Sequence, residues 1–101
     1  ATVVVDRLVR AEAPERQPVF AFLEAAAACA RAAAPAGLRV LGPAAAPMER
    51  RAGRFRGQLL LQADLRRDLQ RFLPAFRAGI AALSSQRHVR WSLDVDPSEL
   101  F

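Results

Sequence analysis

Hydrophobic and polar residues alternate most regularly in two stretches of this chain, one starting at Arg54 and the other at His88. In the first stretch, the positions that would share a buried face are Phe55, Gly57, Leu59, Leu61 and Ala63, and the positions opposite are Arg54, Arg56, Gln58 and Gln62. In the second stretch, the corresponding sets are Val89, Trp91, Leu93 and Val95, and His88, Arg90, Ser92 and Asp94. A repeat of two residues predicts a β-strand with one face towards a core and the other towards solvent.

Two other segments have apolar residues at helical spacing. The first helix is predicted to begin at Pro18 and to end before Pro35 and Gly37, since proline suits the first turn of a helix and glycine its end. The second helix is predicted to follow Asp64, a residue type that caps helix N-termini. Its apolar stripe comprises Leu65, Leu69, Phe72, Leu73, Phe76 and Ile80. Pro74 interrupts this stripe and is expected to kink the helix or to split it in two.

Two shorter patterns complete the predicted sheet. Residues 2–11 are rich in β-branched side chains and contain neither Gly nor Pro, which is typical of a strand, and residues 12–17 would connect this strand to the first helix. Residues 38–41 form a second, short strand. Residues 43–53 include two prolines, so this segment is predicted to be a projecting loop anchored by Met48.

The predicted order of elements is therefore β-α-β-β-α-β, in a single domain over residues 1–101. This order is that of the split β-α-β, ferredoxin-like arrangement in the α+β class, with one four-stranded antiparallel sheet and both helices on one face. The uncovered face would carry Arg54, Arg56, Gln58 and Arg90. Leu8 and Arg10 are candidates from the first strand.

The charge of the chain bears on what this uncovered face could bind. All 15 basic residues are arginines, against 10 acidic residues, and the net charge is +5. Four of the arginines lie within residues 50–56. Guanidinium groups pair with phosphate and carboxylate groups in two-point geometry, so this balance favours a polyanion or an acidic peptide as partner. A merely solvated basic surface, or one that docks on acidic groups of a neighbouring domain, remains the alternative.

Several classes of chemistry find little support in the residues. Cys29 is the only cysteine, which indicates a small apolar residue and a reducing, cytoplasmic location. His88 lacks a nucleophile and an acid at any recognisable spacing, and the carboxylates of Asp94 and Asp96 are too few for a metal site by themselves. Neither a phosphate-binding Gly-Lys-Ser/Thr motif nor a CxxC pair occurs, so this chain is expected to hold no cofactor and not to hydrolyse ATP. No apolar run is long enough to span a membrane.

Two motifs carry a resemblance to a known family. They are LGPAAAPMERRAGRFRGQLLLQ at residues 41–62 and VRWSLDVDPSELF at residues 89–101. Together, at this spacing, they resemble the C-terminal domain of the PriA family of primosomal replication-restart helicases. By the order of its elements the resemblance extends over the whole chain, which would then be one domain of a larger helicase.

This resemblance implies a role in restarting DNA replication. Members of the family are ATP-dependent DNA helicases that recognise stalled or repaired forks and reload the replicative helicase. Their C-terminal domain is similar in fold to a small ribosomal-subunit protein. It would bind single-stranded or branched DNA and would contact the helicase core of the same chain, other primosome proteins and single-stranded DNA-binding protein. The ATP and zinc of the family would belong to the rest of such a protein.

Charge and resemblance together predict which side chains contact DNA: Arg50, Arg51, Arg54, Arg56 and Arg90. Phe55 and Trp91 are expected to pack in the core and not to stack on bases, because they are in phase with buried neighbours. Two other functions stay open. One is a free-standing RNA-binding module, although no outward aromatic residues are visible, and the other is a structural domain that braces the helicase core.

A separate pair of residues is a candidate partner site. Arg66 and Gln70 are four residues apart near the start of the second predicted helix, so they share one of its faces. Single-stranded DNA-binding proteins present an acidic, Phe-ended tail to the PriA family. A guanidinium and an amide at this spacing could hold its terminal carboxylate. An ordinary solvated helix face is the alternative.

Overall fold

The computed structural model describes residues 5–83 and 88–95, except for the side chains of Val5 and Val95. Predictions that concern residues 2–4, the side chain of Val95 and residues 96–101 fall outside this description. The elements in chain order are β1 (Val5–Ala13), α1 (Arg16–Ala33), β2 (Leu38–Arg51), β3 (Arg54–Ala63), α2 (Arg66–Ala81) and β4 (Arg90–Val95). The predicted order of strands and helices is confirmed.

The four strands form one antiparallel sheet in the order β2-β3-β1-β4. Each helix connects two strands that are not neighbours in the sheet, which is the split β-α-β, ferredoxin-like topology. The two central strands, β1 and β3, pair from Val5 opposite Ala63 to Ala13 opposite Phe55. The predicted α+β class and arrangement are therefore confirmed.

A single core lies between the sheet and the two helices. From β3 it receives Leu59, Leu61 and Ala63, all without solvent exposure, as the alternation predicted. The buried side chains of α1 are Val19, Phe22, Leu23, Ala26, Ala27 and Ala30, and those of α2 are Leu69, Phe72, Phe76 and Ile80. Cys29 is partly buried against this core. Both helices cover the same face of the sheet, so the other face is left open.

The helices pack closely because glycines face them. A Cβ atom on Gly79 of α2 would lie 2.8 Å from the Cys29 Sγ atom of α1, and one on Gly57 of β3 would lie 2.8 Å from Leu23 Cδ1. Contacts this short are not compatible with a real side chain, so both positions depend on the absence of one. Among the described residues, neither helix is long and apolar enough to cross a bilayer.

Two predictions for α2 are wrong, and one of the two outcomes predicted for Pro74 does not occur. Asp64 does not cap the helix: the N-cap position is Leu65 and no side chain caps it, because the Asp64 carboxylate accepts a hydrogen bond from Arg39 at 3.1 Å instead. Leu65 lies ahead of the first turn and is 46% exposed, so it is not part of the buried stripe. Pro74 does not split the helix, which is continuous. Pro74 and Gln70, whose carbonyl loses a partner to the proline, are both exposed, so water can satisfy that carbonyl.

The predicted loop at residues 43–53 is also wrong, because β2 continues to Arg51. Since β2 is an edge strand, a proline can leave its outer side unpaired without breaking the sheet. The strand passes Pro43 and Pro47 through two irregularities in its pairing with β3, between Leu41 and Ala44 and between Ala45 and Arg50. Met48 does not anchor this segment, since it is 59% exposed.

β1 also extends further than predicted. It runs through Ala13, so the connection expected at residues 12–17 shrinks to Pro14 and Glu15 before α1 begins at Arg16. Glu12 is consequently a strand residue, opposite Arg56 of β3 and Arg90 of β4. This places an acidic side chain in the middle of the open face.

Candidate nucleic-acid interface

Three complete rows of side chains cross β3, β1 and β4 on the open face of the sheet, beside a shorter row of Gln62 and Asp6. Residues that are directly opposite each other in neighbouring strands point to the same face. From one end to the other, the rows are Leu60, Leu8 and Asp94, then Gln58, Arg10 and Ser92, then Arg56, Glu12 and Arg90. The predicted outward positions of Leu8, Arg10, Arg56, Gln58 and Arg90 are thus confirmed.

These rows line a groove of about 670 Å³, which we call the open-face groove. Its lining residues come from all four strands: Leu8, Arg10 and Glu12 of β1, Ala46, Pro47 and Met48 of β2, Arg56, Gln58 and Leu60 of β3, and Arg90 and Ser92 of β4. Ala11, Gly57 and Trp91 also border it, although in the strand register they are on the helix side of the sheet. The Pro47 segment of β2 forms one side of the groove and β4 forms the other. The groove therefore combines an apolar part with a strongly basic part.

Glu12 is surrounded by arginines of the neighbouring strands. Its Oε1 atom lies 3.4 Å from Nε of Arg54 and 3.9 Å from an Nη atom of Arg90. The Arg54 side chain is 27% exposed, whereas that of Arg90 is 78% exposed. Arg54 also donates a hydrogen bond from Nη2 to the Glu12 carbonyl at 3.5 Å. Arg54 is thus held against the sheet, while Arg90 keeps most of its surface available.

Asp94 carries a second carboxylate, which contacts Arg10 and Ser92 of the middle row. Asp94 Oδ2 lies 3.9 Å from Nε of Arg10 and accepts a hydrogen bond from the Ser92 hydroxyl at 2.7 Å. Asp94 thus pairs with an arginine of the neighbouring strand. The second carboxylate of the predicted pair, Asp96, lies outside the described residues. Across residues 5–83 and 88–95, no group of three metal-ligating side chains is found.

Arg56 and Arg51 lie on the β2–β3 hairpin that borders the groove. Arg56 faces the groove, and its Nη1 atom donates a long hydrogen bond of 3.5 Å to the Met48 carbonyl. Arg51 is exposed and lies opposite Arg54, next to the hairpin turn. Both side chains therefore retain donors that face solvent.

Arg50 does not join the other arginines. It lies opposite Phe55, which points towards the helices, and its guanidinium is 5.4 Å from the centre of the Phe55 ring. Its neighbour Glu49 accepts a hydrogen bond of 2.7 Å from Arg16 at the start of α1. The four-arginine stretch is thus divided, with Arg50 on the helix side of the sheet and Arg54 and Arg56 on the open side.

Phe55 and Trp91 pack against the core, as their phase predicted. Both are partly buried, and the Trp91 ring stacks on Phe22 of α1 with 6.1 Å between the ring centres. The Arg77 guanidinium lies 5.8 Å from the Trp91 ring. Neither ring is free to serve as an outward stacking platform for a base.

The candidate partner residues Arg66 and Gln70 lie on α2, on the helix-covered side of the molecule. Both are exposed and one turn apart, so they share a solvent-facing part of the helix. They are separate from the open-face groove, because the sheet lies between the helices and that groove.

Sequence reasoning missed Glu12. The proline at position 14 predicts that this residue belongs to a connection and not to a strand. The signal was present, since Leu8, Arg10 and Glu12 continue the alternation of β1 by one more step than was assumed.

The fold and the groove define a class: a small α+β domain whose uncovered sheet face carries arginines in excess over carboxylates. The family model for the primosomal protein N C-terminal domain matches residues 5–98, and the chain belongs to this family. The resemblance seen in the two motifs is confirmed.

Two curated relatives are replication restart proteins named PriA. The one from Haemophilus influenzae is 45% identical over 64 residues, which cover 63% of this chain and 8% of the relative. The one from Rickettsia felis is 34% identical over 80 residues, or 79% of this chain and 12% of the relative. The chain thus matches about a tenth of the length of these relatives.

Solved structures share the fold. The de novo designed protein Foldit4 has a TM-score of 0.62 at 12% identity, covering 93% of this chain and 99% of its own. A hydantoinase/carbamoylase family amidase from Burkholderia ambifaria has a TM-score of 0.62 at 12% identity, covering 94% of this chain and 28% of the amidase. At these identities the likeness concerns the fold alone.

Proposed function

We propose that this chain is the DNA-binding and partner-interaction domain of a replication-restart helicase and contacts single-stranded or branched DNA through its open sheet face. The observation that carries the proposal is the composition of this face. Among the described strand residues, it carries the arginines Arg10, Arg51, Arg54, Arg56 and Arg90 beside the carboxylates of Asp6, Glu12 and Asp94.

The ion pairs on this face suit a surface that exchanges one anion for another. Their N···O distances are 3.4–3.9 Å, which is longer than a hydrogen-bonded arginine-carboxylate pair. Exposed pairs of this kind contribute only about 0–1 kcal/mol. A DNA phosphate can therefore take the place of a carboxylate at Arg10 or Arg90 at small cost, and counterions released from the DNA favour the exchange.

Arg51 extends the same surface along the hairpin, and Arg50 contributes from the helix side. We propose Arg10, Arg56 and Arg90 as the principal phosphate contacts, with Arg51 next. Arg54 has a different role in this proposal, because its contacts to Glu12 hold the two central strands and the hairpin together. Arg50 would reach DNA only where a branched substrate wraps around the edge of β2.

A salt titration tests the proposal. Binding of a fluorescent oligo(dT), a forked DNA and an RNA of equal length is measured by anisotropy over a range of salt concentrations. With three to four phosphate contacts, the slope of log K against log salt should be about −2 to −3 for the single strand. Alanine at Arg10, Arg56 or Arg90 should each weaken binding about three- to tenfold at low salt and reduce the slope by about 0.7.

Matched controls lie on α2. Arg67 and Arg71 are exposed on the helix-covered side, so Arg67→Ala and Arg71→Ala remove the same charge away from the groove and should change binding little. If the chain binds no nucleic acid at low salt, the domain is structural and the proposal is wrong. If RNA binds more tightly than either DNA, the RNA-binding alternative replaces it.

The partner contacts of the domain are proposed on its other side. Arg66 and Gln70 would hold the terminal carboxylate of the acidic tail of single-stranded DNA-binding protein, beside contacts to the helicase core and to other primosome proteins. An acidic peptide ending in Phe should bind wild type and lose binding in Arg66→Ala, while oligo(dT) binding stays unchanged. If Arg66→Ala still binds both the peptide and oligo(dT), or loses binding of both, a separate site for the tail is contradicted.

The rest of the parent protein would supply the enzymatic functions. We propose that ATP hydrolysis and zinc binding belong to segments of the relatives that this chain does not span, and that the protein works in the cytoplasm. The isolated chain should then show no ATPase activity with or without DNA. If ATPase activity is found and the Arg56→Ala variant retains all of it, the hydrolytic site lies outside the open-face groove.

A further inference from the structure

Two leucines on the open face are unusual for a surface that binds only phosphates. Leu8 of β1 and Leu60 of β3 are directly opposite each other in the sheet. Leu8 is only 7% exposed, yet it is absent from the cluster of side chains that forms the core. Leu60 is half-buried beside it. Together they make an apolar floor at one end of the open-face groove, next to the row that holds Arg10.

The dimensions of the groove limit what can reach this floor. Its volume of about 670 Å³ lies within the range of about 300–1,000 Å³ that holds small organic ligands. That space accommodates one or two nucleotides turned out of a strand. In a double helix the base faces are stacked on one another, so none of them can lie on this floor. The floor is thus accessible to a base only when the base is unpaired and unstacked.

We infer that the open-face groove is a single-strand site that takes unstacked bases onto Leu8 and Leu60 while Arg10 and Arg56 contact the flanking phosphates. The inference rests on the proposed function and adds that the groove contacts the bases as well as the phosphates. Base faces pack on apolar side chains as well as on aromatic ones, and this mode needs no outward aromatic ring. Because every base has an apolar face, the site would be tolerant of sequence.

Packing of bases on the two leucines predicts that binding affinity depends on the presence of bases. Phosphate contacts alone would not produce this dependence. Three probes of equal length separate the two contributions by anisotropy at low salt: oligo(dT), the same strand made entirely of abasic sites, and a blunt duplex. Oligo(dT) should bind about fivefold more tightly than the abasic strand, since burial of about 40 Å² of apolar surface between a base and the leucines is worth about that factor. The duplex should bind no better than the abasic strand.

Variants connect this preference to the floor. Leu60→Ala should reduce the ratio of oligo(dT) to abasic affinity towards one, and Leu60→Met, which keeps an apolar surface, should preserve it. Leu65→Ala removes a leucine that is more exposed and lies at the start of α2, and it should leave the ratio unchanged. Arg56→Ala should weaken both strands alike. Thermal unfolding followed by circular dichroism verifies that each variant is folded.

The outcomes distinguish the inference from the proposed function. Equal affinity for oligo(dT) and the abasic strand, or a ratio that Leu60→Ala leaves unchanged, overturns the inference while DNA binding itself stands. Absence of binding to all three probes at low salt overturns the proposed function and the inference with it.

Discussion

At the scale of single residues, Glu12 is the acidic group on which the basic face depends. It lies within ion-pair distance of Arg54 and Arg90, and in the sheet it is directly opposite Arg56. A carboxylate in this position orders the arginines while the groove is empty, because it offsets their mutual repulsion. The same charge repels a phosphate that approaches them. Glu12 therefore orders the arginines of the unbound domain and at the same time weakens their binding of phosphate.

Replacing Glu12 by glutamine should strengthen binding of single-stranded DNA. Glu12→Gln keeps the size and a hydrogen-bonding oxygen but removes the charge that competes with phosphate. We expect affinity for oligo(dT) at low salt to rise about two- to fivefold, which corresponds to an exposed ion pair of about 0.4–1 kcal/mol. Anisotropy titrations of wild type and variant measure the change.

Glu24→Gln is the matched control for net charge. Glu24 is exposed on α1, so the variant raises the net charge of the chain by the same amount on the opposite side of the sheet. If both variants bind oligo(dT) more tightly by the same factor, the effect comes from the total charge and the assigned role of Glu12 is incorrect.

The candidate site could be predicted in part at this scale. Arg54, Arg56 and Arg90 are on the open face because their strands alternate cleanly, and a period of two is visible in sequence. The face on which Arg50 lies could not be predicted. Ala45 pairs with Gly57 and Arg50 pairs with Phe55, and between these two pairs β2 has three more residues than β3. An irregularity of this size resets which side chains point to which face, and only the coordinates of both strands show it.

At the scale of elements, the β2–β3 hairpin differs most from the sequence prediction. Pro43 and Pro47 argued for a loop, whereas the structure has an edge strand that is irregular at both places. Edge position cannot be deduced from the segment itself, since it follows from where the neighbouring strands go. The helices were easier, because their apolar stripes carry the period that packing requires. The first residues of the helices were harder to predict. Asp64, for example, accepts a hydrogen bond from Arg39 of β2 and does not cap α2.

The turn of this hairpin provides a stability prediction. Ala52 and Gly53, which connect Arg51 to Arg54, have positive φ angles of 52° and 77°, as a two-residue type I′ turn requires. The left-handed conformation costs an ordinary L-residue about 1–2 kcal/mol, and asparagine tolerates it better. Ala52→Asn should therefore raise the free energy of unfolding by about 0.5–1 kcal/mol. Urea denaturation measures the change.

Ala52→Val is the counterpart of that variant. A β-branched side chain is disfavoured at positive φ, so this substitution should lower the urea midpoint. Should valine and asparagine shift the midpoint in the same direction, the turn does not have the proposed geometry in solution. DNA affinity in Ala52→Asn should stay close to that of wild type, because residue 52 has no part in the groove lining.

At the scale of the whole molecule, the decisive feature is that the sheet is covered on one side only. Both helices pack on the face that carries Leu59 and Leu61, and the arginines line the other face. The same fold occurs in a designed protein and in amidases, so the fold alone does not define what this face binds. The side chains on the open face carry that information, and they are the part in which this chain can differ from other proteins with the same topology.

Two adjacent leucines test whether the sheet is one-sided in solution. Leu61 is fully buried under the helices, and Leu60 points to the open-face groove. Leu61→Ala should cost about 2–5 kcal/mol of the free energy of unfolding, since it leaves a cavity in the only core of the described residues. Leu60→Ala should cost less, about 1 kcal/mol, because Leu60 is only half-buried and water can enter the space that it leaves. Comparable losses in both variants, measured by urea denaturation, would mean that something covers the open face. The groove would then not be accessible to DNA in the free chain.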